Sequence, residues 1–160
     1  DGLDGLAAGV SFIISFSLVI ISLIYKNIDS AFYAAALAGA SLGFLRFNKK
    51  PAKILMGDGG AYFMGFNLAV ISLIALKITS EVTQETDFLK FFLLGLLLFH
   101  PVVDMLNVIR IRIKNGKSPF FPDRSHFHLK LLDNGKTHES TTYIIYVLNI
   151  LTCLIAICLI

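Results

Sequence analysis

Residues 5–25 read GLAAGVSFIISFSLVIISLIY and contain no charged side chain. Apolar and polar residues do not alternate along this stretch, as they do in a half-buried strand. A helix rises about 1.5 Å per residue, so a helix of this length crosses the ~30 Å hydrocarbon core of a bilayer. The stretch therefore predicts a membrane-spanning helix.

The composition of the whole chain supports the same conclusion. Of its 160 residues, 56% are hydrophobic and 16% are charged, and the mean hydropathy is +0.75. These values exclude an ordinary soluble domain, and we expect no nucleic acid partner. The chain has no initiating Met and begins in the polar sequence DGLDG. We therefore expect it to be the C-terminal part of a longer protein.

Further apolar runs follow the first. The second is rich in Ala, which favours close packing against a neighbouring helix. We predict an all-α, polytopic membrane bundle with about five transmembrane helices, which span residues 6–25, 30–46, 59–77, 88–113 and 140–160. Cys153 and Cys158 lie in the last run, and we expect both thiols to be reduced.

The basic residues are concentrated in and around two connections between these runs. The first holds Arg46, Lys49, Lys50 and Lys53, and the second holds Arg110, Arg112, Lys114, Lys117, Arg124, Lys130 and Lys136. The positive-inside rule places such loops in the cytoplasm. We therefore predict that segments 1–5, 47–58 and 114–139 lie on the cytoplasmic face, where three polar clusters meet.

The first cluster is DGLDGLA, residues 1–7. Asp1 and Asp4 are three residues apart, so they share one face of a helix. Such a pair suits a divalent cation or a hydroxyl-rich ligand. An acidic helix N-terminus would look the same, and the spacing alone favours that interpretation.

The second cluster is NKKPAKILMGDGG, residues 48–60, which combines three lysines with Asp58. The glycines let the backbone approach a ligand closely, and their amides can form an anion-binding concavity at the start of a helix. The segment indicates a site where an anion and a cation meet. The alternative is a turn in which Asp58 caps the next helix.

The third cluster lies in KNGKSPFFPDRSHFHLKLLD, residues 114–133, where Arg124, His126 and His128 alternate with other residues. In an extended segment their side chains would share one side and could hold phosphate oxygens. The alternative is a positive loop whose histidines face water. A zinc site is less favoured, because no cysteine or further histidine stands nearby with ligand spacing.

His100 and Asp104 lie four residues apart inside the fourth apolar run, and Pro101 between them predicts a kink. Ionisable groups at membrane depth are costly and usually face a protein interior or a water-filled cavity. The pair fits a structural hydrogen bond or a functional role. It raises an alternative function, a transporter or channel that moves protons or ions past His100 and Asp104.

Together, the motifs DGLDGLA, Asn48-x-x-PAKILMGDGG and PDRSHFHLKLL occur in the order and spacing of one family. The chain resembles the C-terminal half of the polyprenyl-phosphate N-acetylhexosamine-1-phosphate transferases of the MraY/WecA/TagO type, in glycosyltransferase family 4. The resemblance implies an enzyme that transfers a sugar-1-phosphate from a UDP-N-acetylhexosamine to polyprenyl phosphate, such as undecaprenyl phosphate, and releases UMP. It also implies a Mg²⁺ cofactor, with Mn²⁺ as an alternative.

The resemblance also assigns roles to individual residues. Asp58 is implied as a catalytic Mg²⁺ ligand, with His126 and His128 as further catalytic residues near the phosphates or the sugar. The implied substrate-binding residues are Asp1, Asp4, Asn48 and Arg124.

The form of the third motif favours the UDP-GlcNAc branch of the family over the pentapeptide branch, whose loop has consecutive histidines. Leu55 stands where the family usually has an aromatic residue, and Leu129 stands where the GlcNAc branch often has another histidine. The implied location is the bacterial inner membrane, among membrane lipids, and a homodimer is left open. A noncatalytic membrane scaffold is the remaining alternative to an enzyme.

Overall fold

The computed structural model describes residues 2–76, 84–120 and 125–160, except that the side chains of residues 84–87 are not described. The described residues form seven helices and no strand: α1 (Leu6–Ile24), α2 (Ile28–Asn48), α3 (Gly57–Ala75), α4 (Gln84–Leu97), α5 (Phe99–Lys114), α6 (Phe127–Asp133) and α7 (His138–Cys158). The predicted all-α class is confirmed.

Four helices, α1, α2, α3 and α7, are long and apolar enough to cross a membrane. The fourth apolar run forms α4 and α5, which are bent by 81° and give a fifth span only if they are counted together. The prediction of a polytopic membrane bundle with about five spans is therefore confirmed. The structure adds a break to the fourth run, which the sequence presents as continuous over residues 88–113.

Pro101 provides a physical reason for this break. Proline has no amide hydrogen, and its ring crowds the carbonyl of the residue four positions earlier, which here is Leu97. Helical bonding is intact on either side, since the Leu98 amide donates to the Leu94 carbonyl and the Val102 amide donates to the Leu98 carbonyl, both at 3.0 Å. The chain therefore bends three residues before the proline.

Helix α1 is the centre of the bundle and contacts α2, α3 and α7. Three of its large apolar side chains, Ile14, Leu18 and Ile21, are fully buried. Two of its buried serines bond within the helix, since Ser15 donates to the Ser11 carbonyl at 2.6 Å and Ser17 donates to the Ile13 carbonyl at 2.8 Å. Helix α1 can therefore pack closely on three sides.

Small residues of α2 form the face that packs on α1. Ala31, Ala34 and Ala38 are buried, and the Ser22 hydroxyl of α1 donates to the Ser30 hydroxyl of α2 at 3.0 Å. Small side chains let two helix backbones approach closely in a membrane.

Helix α7 packs on the start of α1 through Tyr146. Its hydroxyl donates to the Gly5 carbonyl at 2.5 Å, and a Cβ on Gly9 would overlap its ring. Of the two cysteines in α7, Cys153 is buried and Cys158 is exposed, and both are free thiols. The contact brings α7 to the same end of the bundle as the first polar cluster.

Candidate functional site

Asn48, the last residue of α2, joins the first and second polar clusters. Its side chain is buried, its Oδ1 accepts from the Gly5 amide at 3.1 Å, and its Nδ2 donates to the Ile54 carbonyl at 2.8 Å. Gly5 has a φ of 78°, which glycine adopts without strain. Because both polar atoms of its side chain bind backbone, Asn48 braces the site in this structure.

Asp4 makes a second connection between the same clusters. Its Oδ2 accepts from the Ala52 amide at 3.1 Å, which holds the basic loop against the start of α1. Asp4 is only partly buried, and its Oδ1 accepts no hydrogen bond from the described residues. One carboxylate oxygen is therefore free for a ligand.

A cavity of about 280 Å³ opens where these segments meet, and we call it the Asp58 cavity. Its walls are Gly2, Leu3, Asp4, Asn48, Leu55, Gly57 and Asp58. Leu55, the residue in the family's aromatic position, is 74% exposed there. A leucine can offer a base apolar contact but no aromatic stacking.

Asp58 itself is exposed and lies in the first turn of α3, whose N-cap is Met56. It is therefore not the capping residue that the alternative interpretation requires. Within the described residues its carboxylate accepts no hydrogen bond and forms no ion pair. An unpartnered carboxylate at a cavity wall can bind a cation directly.

The histidines of the third cluster lie together at the start of α6. His126 is the N-cap residue, and His128 is buried in the first helical turn. Their rings stack with centroids 5.4 Å apart and planes at 23°. The prediction of an extended segment from Arg124 to His128 is therefore wrong at His128, because α6 begins at Phe127. Arg124 and Asp1, the other predicted site residues, lie outside the described ranges.

Asp104 of α5 connects the broken span to this loop. Its Oδ2 lies 2.8 Å from Nδ1 of His126, and its Oδ1 accepts from the Phe127 amide at 2.7 Å. The second bond satisfies one of the free amides at the start of α6. A single carboxylate therefore holds both the imidazole of His126 and the first turn of the helix.

His100 has no comparable bond to Asp104. Its Nε2 is buried without a hydrogen-bond partner among the described residues. Its ring packs edge-on against Phe127, with centroids 6.3 Å apart. In the part of the chain that the structure describes, the hydrogen bond between His100 and Asp104 that their spacing suggests does not form.

The histidines and Asp104 line a second cavity, of about 690 Å³, which we call the histidine cavity. Its other walls are mostly apolar residues of α1 and α5, including Leu6, Val10 and Val108. Burial, and then the neighbouring His126, lower the pKa of His128 from 6.5 to about 4. His128 is therefore neutral at pH 7 and has both a donor and an acceptor nitrogen.

Gly2 connects the two cavities, because its backbone lines both of them. A Cβ at this position would overlap the His128 imidazole. At this point only the backbone of Gly2 separates the Asp58 cavity from the histidine cavity.

The matching family model is described as glycosyl transferase family 4 and covers residues 1–76. A decaprenyl-phosphate N-acetylglucosaminephosphotransferase of Mycobacterium leprae is 38% identical over 91% of this chain and 40% of the relative. A probable undecaprenyl-phosphate N-acetylglucosaminyl 1-phosphate transferase of Bacillus subtilis is 33% identical over 99% of this chain and 43% of the relative.

A phospho-N-acetylmuramoyl-pentapeptide-transferase of Caldicellulosiruptor bescii is 34% identical over 100% of this chain and 46% of the relative. The chain thus spans less than half the length of these three relatives. Two of these names specify N-acetylglucosamine and the third specifies N-acetylmuramoyl-pentapeptide, so identity at this level does not fix the sugar.

Proposed function

Because this chain belongs to glycosyl transferase family 4, we propose that it carries part of the active site of a UDP-N-acetylhexosamine:polyprenyl-phosphate N-acetylhexosamine-1-phosphate transferase. The observation that carries the proposal is the pair of adjoining cavities at one end of the bundle. One presents the unpartnered carboxylate of Asp58, and the other presents His126 and His128 beside apolar walls.

In the proposed reaction, an oxygen of polyprenyl phosphate attacks the phosphorus that carries the sugar. A new P–O bond joins the lipid phosphate to the sugar phosphate. The bond from that phosphorus to the bridging oxygen breaks, and UMP leaves with the bridging oxygen and the electron pair. Phosphoryl transfer of this kind depends mainly on positioning and on neutralising charge.

The Asp58 cavity fits the Mg²⁺ that the family implies. Mg²⁺ prefers oxygen ligands, commonly one or two carboxylates together with substrate phosphates and water. Asp58 has both oxygens unpartnered among the described residues, and Asp4 has one. We propose that Asp58 holds the ion, with Asp1 and Asp4 beside the nucleotide and Mn²⁺ as a substitute. A bound ion would offset the negative charge of the phosphates.

In the histidine cavity, His126 and His128 are proposed to bind the phosphates or the sugar, and the family resemblance adds Arg124 to this set. A neutral His128 can donate one hydrogen bond from its protonated ring nitrogen, whereas an arginine offers a charged bidentate fork. Asn48 is proposed to act by bracing the Asp58 cavity, since both polar atoms of its side chain already bind backbone.

The third motif favours UDP-GlcNAc as the sugar donor. The family resemblance implies undecaprenyl phosphate as the acceptor, in the synthesis of a lipid-linked cell-envelope glycan. Two of the relatives described above bear N-acetylglucosamine in their names. A panel of UDP-sugars offered with a short polyprenyl phosphate tests this choice through UMP release. We expect UDP-GlcNAc to give the fastest release. Equal turnover of the muramoyl-pentapeptide donor would contradict this assignment.

The proposed location is the bacterial inner membrane, with both cavities on the cytoplasmic face. Support comes from the lysines and arginines in the two connections that form these cavities. Single cysteines at Lys50 and Lys117 should resist an impermeant thiol reagent in intact cells and react after permeabilisation. Labelling before permeabilisation would reverse the orientation.

The main test is UMP release by the intact membrane protein with Mg²⁺, measured before and after chelation. We expect turnover that stops on chelation and returns with Mg²⁺ or Mn²⁺. A folded protein that turns over none of the UDP-sugars would favour the noncatalytic scaffold.

A further inference from the structure

Asp104 is the one carboxylate of the described part of the chain that touches a proposed catalytic residue. It lies on α5, 22 residues before His126, and its side chain is only 14% exposed, against 38% for His126. The acid is thus the buried member of the pair, and the imidazole is the accessible one.

A structural role alone explains only half of this arrangement. The bond from the Phe127 amide to Oδ1 caps α6, and that bond would suffice to fix the helix start. The other oxygen, Oδ2, forms a hydrogen bond with the ring of His126. A carboxylate can only accept hydrogen bonds, so Nδ1 of His126 must carry the proton that it donates. The atom left for a ligand is Nε2.

Resting on the proposed transferase activity, we propose that Asp104 is a positioning residue for catalysis. It fixes the ring orientation and the tautomer of His126, so that the unprotonated Nε2 faces the histidine cavity and can accept a hydrogen bond or a proton from a substrate hydroxyl there. A histidine whose second nitrogen is held by a carboxylate is the same device that orients the base of hydrolase triads.

Other groups around this cavity limit how the effect can be tested. The titratable side chains that line it with Asp104 and His126 are His100, Arg112 and His128. Activity as a function of pH would report on all of them together. The test therefore relies on substitution and on a direct probe of the ring.

The substitution Asp104→Asn separates the two functions of the carboxylate. The amide oxygen can still accept from Phe127 and cap α6. The amide nitrogen that replaces Oδ2 is a donor, so it forces the proton of His126 from Nδ1 to Nε2. Asp29→Asn is the matched control, because Asp29 is an exposed acid in the first turn of α2.

In the intact protein, we expect Asp104→Asn to lower kcat by about 10²-fold, the usual scale for a positioned acid or base. We expect little change in KM or thermal unfolding, and no effect of Asp29→Asn. His126→Ala should cost a similar factor, and the double variant should lose little more, because both act through one ring. Normal kcat in Asp104→Asn, or multiplicative losses in the double variant, would overturn the proposal.

Nitrogen NMR of the histidine side chains gives a readout that does not depend on turnover. We expect His126 to carry its proton on Nδ1 in the parent protein and on Nε2 in Asp104→Asn. The same tautomer in both would overturn the positioning role even in an active enzyme. Failure of every UDP-sugar with the expected tautomer change would instead count against the proposed function.

A metal-binding role is the other outcome that the test can reveal. The ligand atoms of Asp104, His126 and His128 lie within 4.8 Å of one another. The carboxylate bonds favour positioning, since both oxygens are already engaged. Stoichiometric Zn²⁺ in the purified protein that is lost in Asp104→Asn would overturn the proposal in favour of a metal centre.

Discussion

Asp58 and Asp104 are carboxylates at adjoining cavities, and they differ in exposure and in hydrogen bonding. Asp58 is exposed at the start of α3 and has no partner among the described residues. Asp104 is nearly buried, and both of its oxygens accept hydrogen bonds. A carboxylate with free oxygens can take a ligand, whereas one with engaged oxygens orients its neighbours.

The same contrast predicts how each site responds to loss of charge. Removing the charge of Asp58 leaves no described hydrogen bond broken, so the fold should tolerate it. Removing the whole side chain of Asp104 leaves the Phe127 amide without its acceptor, and an unsatisfied buried donor costs about 1–3 kcal/mol. Isosteric changes are therefore needed to compare the two carboxylates.

The largest effect is expected at the Asp58 cavity. Asp58→Asn keeps the shape of the side chain and loses the charge that would hold the metal. We expect turnover to fall by about 10²–10³-fold, with an unchanged thermal unfolding temperature. UMP release and calorimetry on the same preparation measure both quantities. Near-normal Mg²⁺-dependent turnover would remove Asp58 from the active site.

The next effect is expected at the histidine cavity. His126→Ala and His128→Ala should each lower kcat by about 10²-fold and leave membrane insertion intact. Arg124→Lys should also be impaired, since lysine keeps the charge but loses the bidentate fork. If the histidine variants keep the parent kcat, this loop only sets the membrane topology and takes no part in catalysis.

A smaller effect concerns stability at acid pH. The pKa of His128 is lowered from 6.5 to about 4 by burial. Between these values the unfolded chain binds a proton that the folded chain does not, so the free energy of unfolding falls as the pH is lowered. At pH 5 the loss should be about 1–2 kcal/mol.

Thermal unfolding in detergent at pH 7 and pH 5 measures this difference. His128→Gln should be less sensitive to acid than the parent protein, whereas His138→Gln should not, because His138 is exposed. Equal sensitivity of the parent and His128→Gln would show that burial of this ring is not what limits stability in acid.

The smallest effect is expected for the loop lysines. Lys114, Lys117 and Lys136 each add about 1 kcal/mol of attraction to anionic lipid near the surface, and none lines the Asp58 cavity or the histidine cavity. Single Ala variants should keep near-parent UMP release. If the lysine variants abolish turnover and the histidine variants have no effect, the lysines act in the active site and the proposed role of the histidines is wrong.

The sequence predicts the bundle well because long charge-free runs have few alternatives to membrane helices. It also identifies the motifs, since DGLDGLA and the segment around Asp58 are contiguous. The position of the helix break, between Leu97 and Phe99, is less clear from the sequence. A proline acts on the residue four positions earlier, so the kink expected at Pro101 begins before it.

The contact between Asp104 and His126 could not be predicted from spacing. His100 and Asp104 are four residues apart, which suggests a pair on one helical face. The carboxylate instead bonds to a loop 22 residues away, and no local pattern encodes that choice. The sequence offered one indirect signal for this contact. Asp104 is an acid inside an apolar run, and α6 has no capping side chain of its own, so each needs a partner elsewhere.

Gly2 has a consequence for how much change this molecule can tolerate. Its backbone lines both cavities, and even one methyl group there would press on His128. A substitution at this position cannot tune one cavity without disturbing the other. Position 2 is therefore a point in the sequence where a single substitution changes both cavities at once.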